Sequence, residues 1–326
     1  MKKVWTLLAA LVLVSSMALQ AQQDVKVATD PEKAGPDYKI QGEYVGETAE
    51  KAKLGAEVIA RGAGKFEVNF LPGGLRGDGG DYSKAITGGT GKTEDGKVTV
   101  ASKDGKWTGV IDSGKLTGKN AEGQAFTLER VVRQSKTLGA KPPEGAIILF
   151  DGKDTNEWAK AKMVDGNLLA EDIKTNKAFK DHKIHLEFRL TYVPFGTGQG
   201  RSNSGVYIQN RYECQVLDSF GLKGENNECG GIYQQSKPLV NMCYPPLQWQ
   251  TYDIELKMPK FDADGKKTEP ALLTIYHNGV LIQDKLALKG PTPGNQLKDD
   301  AAPGPLFLQG HGGQVQYRNI WVVENK

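Results

Sequence analysis

Polar and apolar residues alternate most regularly along two stretches of this chain, 183–190 and 201–218. In the first, Ile184, Leu186, Phe188 and Leu190 fall on one side of an extended chain, and His185, Glu187 and Arg189 fall on the other. In the second, a short polar turn at Asn210-Arg211 separates two strands. Ser204, Val206 and Ile208 share one face of the first strand, with Gly205, Tyr207 and Gln209 on the other. In the second strand Glu213, Gln215 and Leu217 oppose Tyr212, Cys214 and Val216. A sheet face carrying Tyr, Gln and Glu together is costly to bury dry and suits a solvated groove.

The rest of the chain repeats the pattern in shorter form. Strand-like runs at 38–44, 55–60, 65–70, 97–101, 106–111 and 125–132 are separated by Asp-Gly and Ser-Gly turns. They predict a small antiparallel β-domain of meander order over 37–133, with two turns of helix at most over 47–54. Residues 22–36 read as a polar tether, and the Gly-rich runs near 71–80 and 88–93 as surface loops. Gly91-Lys92-Thr93 matches only the end of a phosphate-loop motif, and a strand-like run follows where a helix is required. Residues 134–146, with Pro142-Pro143, predict a semi-rigid linker. A second domain, 147–326, opens on the apolar strand starting at Ile147. The fold class is all-β.

Composition narrows the function. The 326 residues carry a net charge of +3, with both signs interspersed, which argues against a nucleic-acid partner. Lys2 and Lys3 precede an apolar run over 4–14 and then small residues, so residues 1–21 read as a signal peptide cleaved after Ala18 or Ala21. The mature protein is expected to be periplasmic or secreted, with no membrane attachment after signal removal. Asp262-Ala-Asp-Gly265 mimics the start of a calcium loop but lacks its distal Glu, and reads as a hairpin tip. The cysteines at 214, 229 and 243 lack zinc-site spacing. No spacing demands a metal or other cofactor, and a divalent metal remains compatible with the chain. The sequence sets no oligomeric state.

Glu213 is the best candidate for proton transfer, because partial burial beside Tyr207, Gln209 and Gln215 would raise its pKa. A retaining glycosidase would want a second carboxylate two positions later on the same face. That position is Gln215, and Asp218 falls on the opposite face. Glu187 from another strand could supply the second acid. Tyr244 and Trp249, with Pro245 and Pro246, suggest an aromatic rim for sugar stacking, and Trp249 reads equally well as core. From pattern alone, His185, Glu187 and Arg189 fit an exterior face or a groove equally.

Ser-Asn-Ser-Gly-Val-Tyr-Ile-Gln from Ser202, Tyr-Glu-Cys-Gln-Val-Leu-Asp-Ser from Tyr212, and Trp-Gln-Thr-Tyr-Asp from Trp249 together resemble the 3-keto-disaccharide hydrolase family. The resemblance spans about 145–326 and implies a concanavalin-like jelly-roll sandwich acting on a carbohydrate substrate oxidised at C3. It implies general acid/base chemistry by Glu213 and His311, with Glu187 as alternative acid. For such a substrate the candidate contacts are His185, Arg189, Arg201, Asn203, Tyr207, Gln209, Gln215, Tyr244, Trp249 and Gln309. Gln309-Gly-His311-Gly resembles the family's Gln-Asp-His-Gly element, with Gly310 in place of the acid. The resemblance also favours a disulfide between Cys229 and Cys243; Cys214, on the apolar face of its strand, reads as a buried free thiol. A lectin-like binding module and an ordinary retaining glycosidase are the alternative functions.

Overall fold

The computed structural model describes residues 25–325, and the predicted signal peptide, 1–21, lies outside the described residues. Short alternating strands dominate, and they assemble into two all-β units.

The first unit is a closed antiparallel barrel of eight strands. Each strand from Ile86–Glu94 through Lys97–Ala101, Thr108–Asp112 and Lys115–Lys119 to Ala125–Val131 pairs with the next. Gly42–Thr48 closes the ring by pairing with both Ala125–Val131 and Lys53–Ala60. Closure leaves no unpaired edge. Tyr44, Val58, Val68, Phe70, Val98, Trp107, Phe126 and Leu128 fill the interior.

Three local expectations are corrected here. Residues 35–40 form a short helix, begun by Pro36 near its N-terminus, and the strand starts only at Gly42. No helix forms over 47–54, because Glu47 and Gly46 pair with Lys53 and Leu54 across a tight turn. The Gly-rich run at 88–93 lies within a strand rather than a loop.

The second unit is a jelly-roll sandwich. One sheet orders Met163–Val164, Leu168–Leu169, Gln316–Glu324, His182–Arg189, Trp249–Lys257, Leu272–His277 and Val280–Ala287, with Ile147–Phe150 also on Gln316–Glu324. The other orders Trp158–Ala159, Ile173–Phe179, Gly304–Gly310, Asn203–Ile208 and Tyr212–Leu217. Ile184, Leu186 and Phe188 from one sheet meet Val206, Ile208, Cys214 and Val216 from the other in a single core. Asp262 accepts from the backbone of Asp264 and Lys266, which makes 262–265 a hairpin tip.

The segments expected to be a tether and a spacer are packed instead. Ala28 pairs with Tyr192 through two backbone hydrogen bonds of 3.0 and 2.9 Å. The linker lies on the outer face of the first sheet, where Thr137 donates to Asp253 at 2.6 Å and Gly139 N to Glu187 at 2.6 Å. Two arginines held by barrel carboxylates, Arg76 by Glu57 and Arg133 by Glu43, reach across to the second unit: Arg76 donates to Leu222 O at 2.5 Å, and Arg133 lies 5.0 Å over the Tyr244 ring.

The expected disulfide is absent: Cys214, Cys229 and Cys243 are free and buried. Cys229 meets Tyr252 Oη at 3.1 Å, and Cys243 donates to Tyr244 O at 3.5 Å, so both sulfurs have polar partners as thiols. Among the described residues no helix is long and apolar enough to cross a membrane.

Candidate active site

The hairpin of Asn203–Ile208 and Tyr212–Leu217 sets the site. Its register places Tyr207 opposite Glu213 and Gly205 opposite Gln215. Val206, Ile208, Cys214 and Val216 turn into the core, so Tyr207, Glu213 and Gln215 turn outward. The loop is Gln209-Asn210-Arg211, one residue earlier than expected, with positive φ at Gln209 and Asn210. Gln309 joins from the neighbouring strand, opposite Gly205.

These side chains line a cavity of about 430 Å³, together with Asn203, Gln199, Tyr233, Pro293, Gly294 and an exposed His311. Glu213 is the one carboxylate among them. It is 3 % exposed, and burial pushes its pKa up to about 7, against the lowering effect of the Tyr207 hydroxyl.

The hydrogen bonds around Tyr207 explain how this carboxyl can hold a proton. Tyr207 Oη lies 2.8 Å from Glu213 Oε2 and 2.7 Å from Pro293 O. A phenol has one proton, so it serves one acceptor at a time. With Glu213 protonated, the acid donates to Tyr207 and Tyr207 donates to Pro293. With Glu213 ionised, Tyr207 turns to the carboxylate.

Amides complete the lining. Gln199 Oε1 accepts from Asn203 Nδ2 at 3.1 Å and from Gln215 Nε2 at 3.3 Å. Asn203 Oδ1 and Gln309 Oε1 are buried without a protein partner. Both are placed to accept from a ligand hydroxyl.

Gly205 is required by close approach. A Cβ there would lie 2.4 Å from Glu213 Oε1 and 3.0 Å from Gln309 Oε1. Gly205→Ala is therefore expected to push the carboxyl aside and lower kcat/KM by about 100-fold, while costing about 1–3 kcal/mol of stability. Steady-state kinetics and a melting curve on the same sample check both.

Of the residues predicted at the substrate, Asn203, Tyr207, Glu213, Gln215, Gln309 and His311 come together. The others do not. His185, Glu187, Arg189 and Trp249 belong to the opposite sheet, on its outer face, among the linker and side chains of the neighbouring strand Gln316–Glu324. Glu187 accepts from Gly139 N, Asn319 and Arg318. Burial raises its pKa, but His185, these donors and Arg318 prevail and hold it at about 2. A carboxyl ionised this firmly is no general acid near neutral pH. His185 Nδ1 meets Asp253 at 2.6 Å, and Trp249 lies between Arg189 and Arg318, 5.1 and 3.9 Å from its ring centre.

Arg201 is spent on Asp218, with contacts of 3.1 and 2.6 Å. Gln209 donates to Phe179 O at 2.8 Å, which ties the hairpin turn to its own sheet. Tyr244 is buried at the junction with the barrel rather than on a rim. Gln199, Tyr233, Pro293 and Gly294 escaped the sequence reading because they sit in irregular segments without periodicity. Among the described residues no group of three or more His, Cys, Asp or Glu side chains converges to hold a metal ion.

Residues 145–323 match the family described as a 3-keto-alpha-glucoside-1,2-lyase-like domain. A crystal structure of a "putative glycosyl hydrolase" from Parabacteroides distasonis ATCC 8503 is 34% identical, with a TM-score of 0.50 over 56% of this chain and 85% of its own. Two other structures of the same description and organism are 19% and 18% identical, with TM-scores of 0.39 and 0.41. They cover 56% and 60% of this chain, and 100% and 99% of their own. No functionally curated protein matches the chain.

Proposed function

Because this chain belongs to the family of the 3-keto-alpha-glucoside-1,2-lyase-like domain, we propose that the cavity around Glu213 cleaves 3-keto-glycosides by elimination followed by hydration. The observation that carries this reading is a single buried carboxyl, with its pKa near 7, among amides and a phenol. A retaining glycosidase needs two carboxyl groups about 5.5 Å apart. Nothing lining this cavity supplies the second.

Oxidation at C3 makes the C2 hydrogen of the sugar acidic, because the carbanion is an enolate. Glu213 takes that proton. The C2 electron pair forms the C1–C2 double bond as the C1–O bond to the aglycone breaks. His311, at the cavity mouth, protonates the departing oxygen. Gln309 Nε2 is free to donate to the enolate oxygen, since its one contact, to Tyr207 Oη, is a long 3.4 Å. Asn203 Oδ1 accepts from a sugar hydroxyl. Water then adds across the double bond, its hydroxyl to C1, its proton to His311 and the proton held by Glu213 to C2, so that both residues return to their starting states and the 3-keto sugar is released.

The test compares aglycone release from a 3-keto-β-glucoside and from its unoxidised parent. Turnover of the keto form alone is expected. Cleavage of both would point to an ordinary glycosidase. Sugar binding without turnover of either would point to a binding module.

The signal-like residues at the N-terminus support export as a further part of this proposal. The mass of the protein recovered outside the cytoplasm should correspond to a chain beginning at Leu19 or Gln22. Recovery of the full-length chain there would refute this processing.

A further inference from the structure

The barrel contributes no side chain to the cavity, yet it grips the segment that builds one cavity wall. After Tyr212–Leu217 the chain leaves the sheet, runs out to Gly221 and Leu222, and returns. On its return Gly230 N donates to Gln215 O at 3.0 Å, Gln215 N to Gly231 O at 2.9 Å, and Tyr233 N to Glu213 O at 3.2 Å. These bonds bring Tyr233 to the cavity. Midway along the excursion, Asn227 O accepts from Gln199 Nε2 at 2.9 Å, and Gln199 holds Asn203 and Gln215.

The far point of the excursion is fixed from the barrel. Asn69 Nδ2 donates to Gly221 O at 2.8 Å, and Arg76 Nη1 to Leu222 O at 2.5 Å. Both side chains are themselves held by buried Glu57, Arg76 at 2.7 and 2.9 Å and Asn69 at 3.3 Å. Gly221 has φ +80, and a Cβ there would lie 2.5 Å from the Ile59 side chain. The loop tip is thus fitted closely to the barrel wall.

We propose that Asn69 and Arg76 are positioning residues for the sugar site, so that the barrel holds residues 218–233 in the shape that brings Tyr233 and Gln199 to the cavity. This rests on the reading of that cavity as the sugar site. It gives the barrel a role in substrate binding without any contact between barrel and substrate.

Asn69→Ala removes one grip and leaves the Glu57–Arg76 pair in place. KM for the 3-keto-β-glucoside should rise about 3- to 30-fold, with kcat changed less than about twofold. Combined with Gln199→Ala, the effect on KM should be less than additive, because both changes act through the same wall. An unchanged KM, or additive effects, would overturn the proposal. Amide hydrogen exchange gives a reading independent of turnover: residues 225–233 should exchange faster in Asn69→Ala while the barrel strands do not. If the wild type turns over neither substrate, the sugar reading fails, and the exchange result still decides whether the barrel controls the wall. Should Asn69→Ala fail to fold, Gly221→Ala disturbs the same contact from the loop side, and the same results support or overturn it.

Discussion

Glu213→Gln should lower turnover of a 3-keto-glycoside by about 100- to 10,000-fold while leaving sugar binding in place. Gln keeps the size and hydrogen-bonding capacity of the protonated acid but cannot take a proton. As a base, Glu213 must be ionised, so wild-type kcat/KM should rise with pH through about 7. A rate that instead falls through that range would make Glu213 the acid and reverse the assignment with His311.

The same substitution should stabilise the protein at alkaline pH. Burial raises the folded-state pKa of Glu213 from 4.5 to about 7, so the folded protein binds more protons than the unfolded one between those values. Stability from this group is fully present below the unfolded pKa and declines as pH rises through the folded one. Glu171, whose burial outweighs its bonds from the backbone of 313–315, is also pushed up to about 7 and adds to the decline. Above pH 7, Glu213→Gln relieves a cost on the order of 3 kcal/mol. Thermal unfolding of both proteins at pH 5 and pH 8 should show melting points close together at the first and separated at the second. Equal separation at both would rule out the linkage.

The second large effect concerns Arg201. It pairs with Asp218 where both are nearly inaccessible to water. Arg201→Leu leaves a buried carboxylate without its partner, at a cost of about 3–5 kcal/mol. The double substitution Arg201→Met with Asp218→Leu should recover much of that loss, since a matched apolar pair removes both desolvated charges. Urea unfolding midpoints measure both. KM of whatever folds should change little. A large rise in KM with unaltered stability would restore Arg201 to the substrate.

The contrast between Arg201 and Glu213 shows what the residue pattern could and could not reveal. Period-2 alternation over 203–217 fixed which side chains share a face, because Val206, Ile208, Cys214 and Val216 had to enter the core. It was equally clear over 183–190, yet there the polar face proved to be covered. Whether such a face looks into a cavity or under another segment depends on distant residues, here Gly139, Arg318 and Asn319. No local pattern encodes that.

Barrel closure was hidden for a similar reason. It requires Gly42–Thr48 to pair with Ala125–Val131, about eighty residues away, and the Gly-rich strand Ile86–Glu94 lacks the apolar alternation that would announce it. Arg201 illustrates a third limit. A charged residue beside a candidate site reads as a ligand until its buried partner is visible.

The strand that bears Glu213 is the last in its sheet. Such a strand, left bare, offers its backbone to any other chain in reach and invites aggregation. Residues 230–233 occupy that edge with hydrogen bonds to Glu213 and Gln215. The wall that shapes the cavity is therefore also a guard against intermolecular pairing. Changes to it during evolution face two demands at once, and a loop redrawn to admit a new substrate must still shield the strand beneath it to remain soluble.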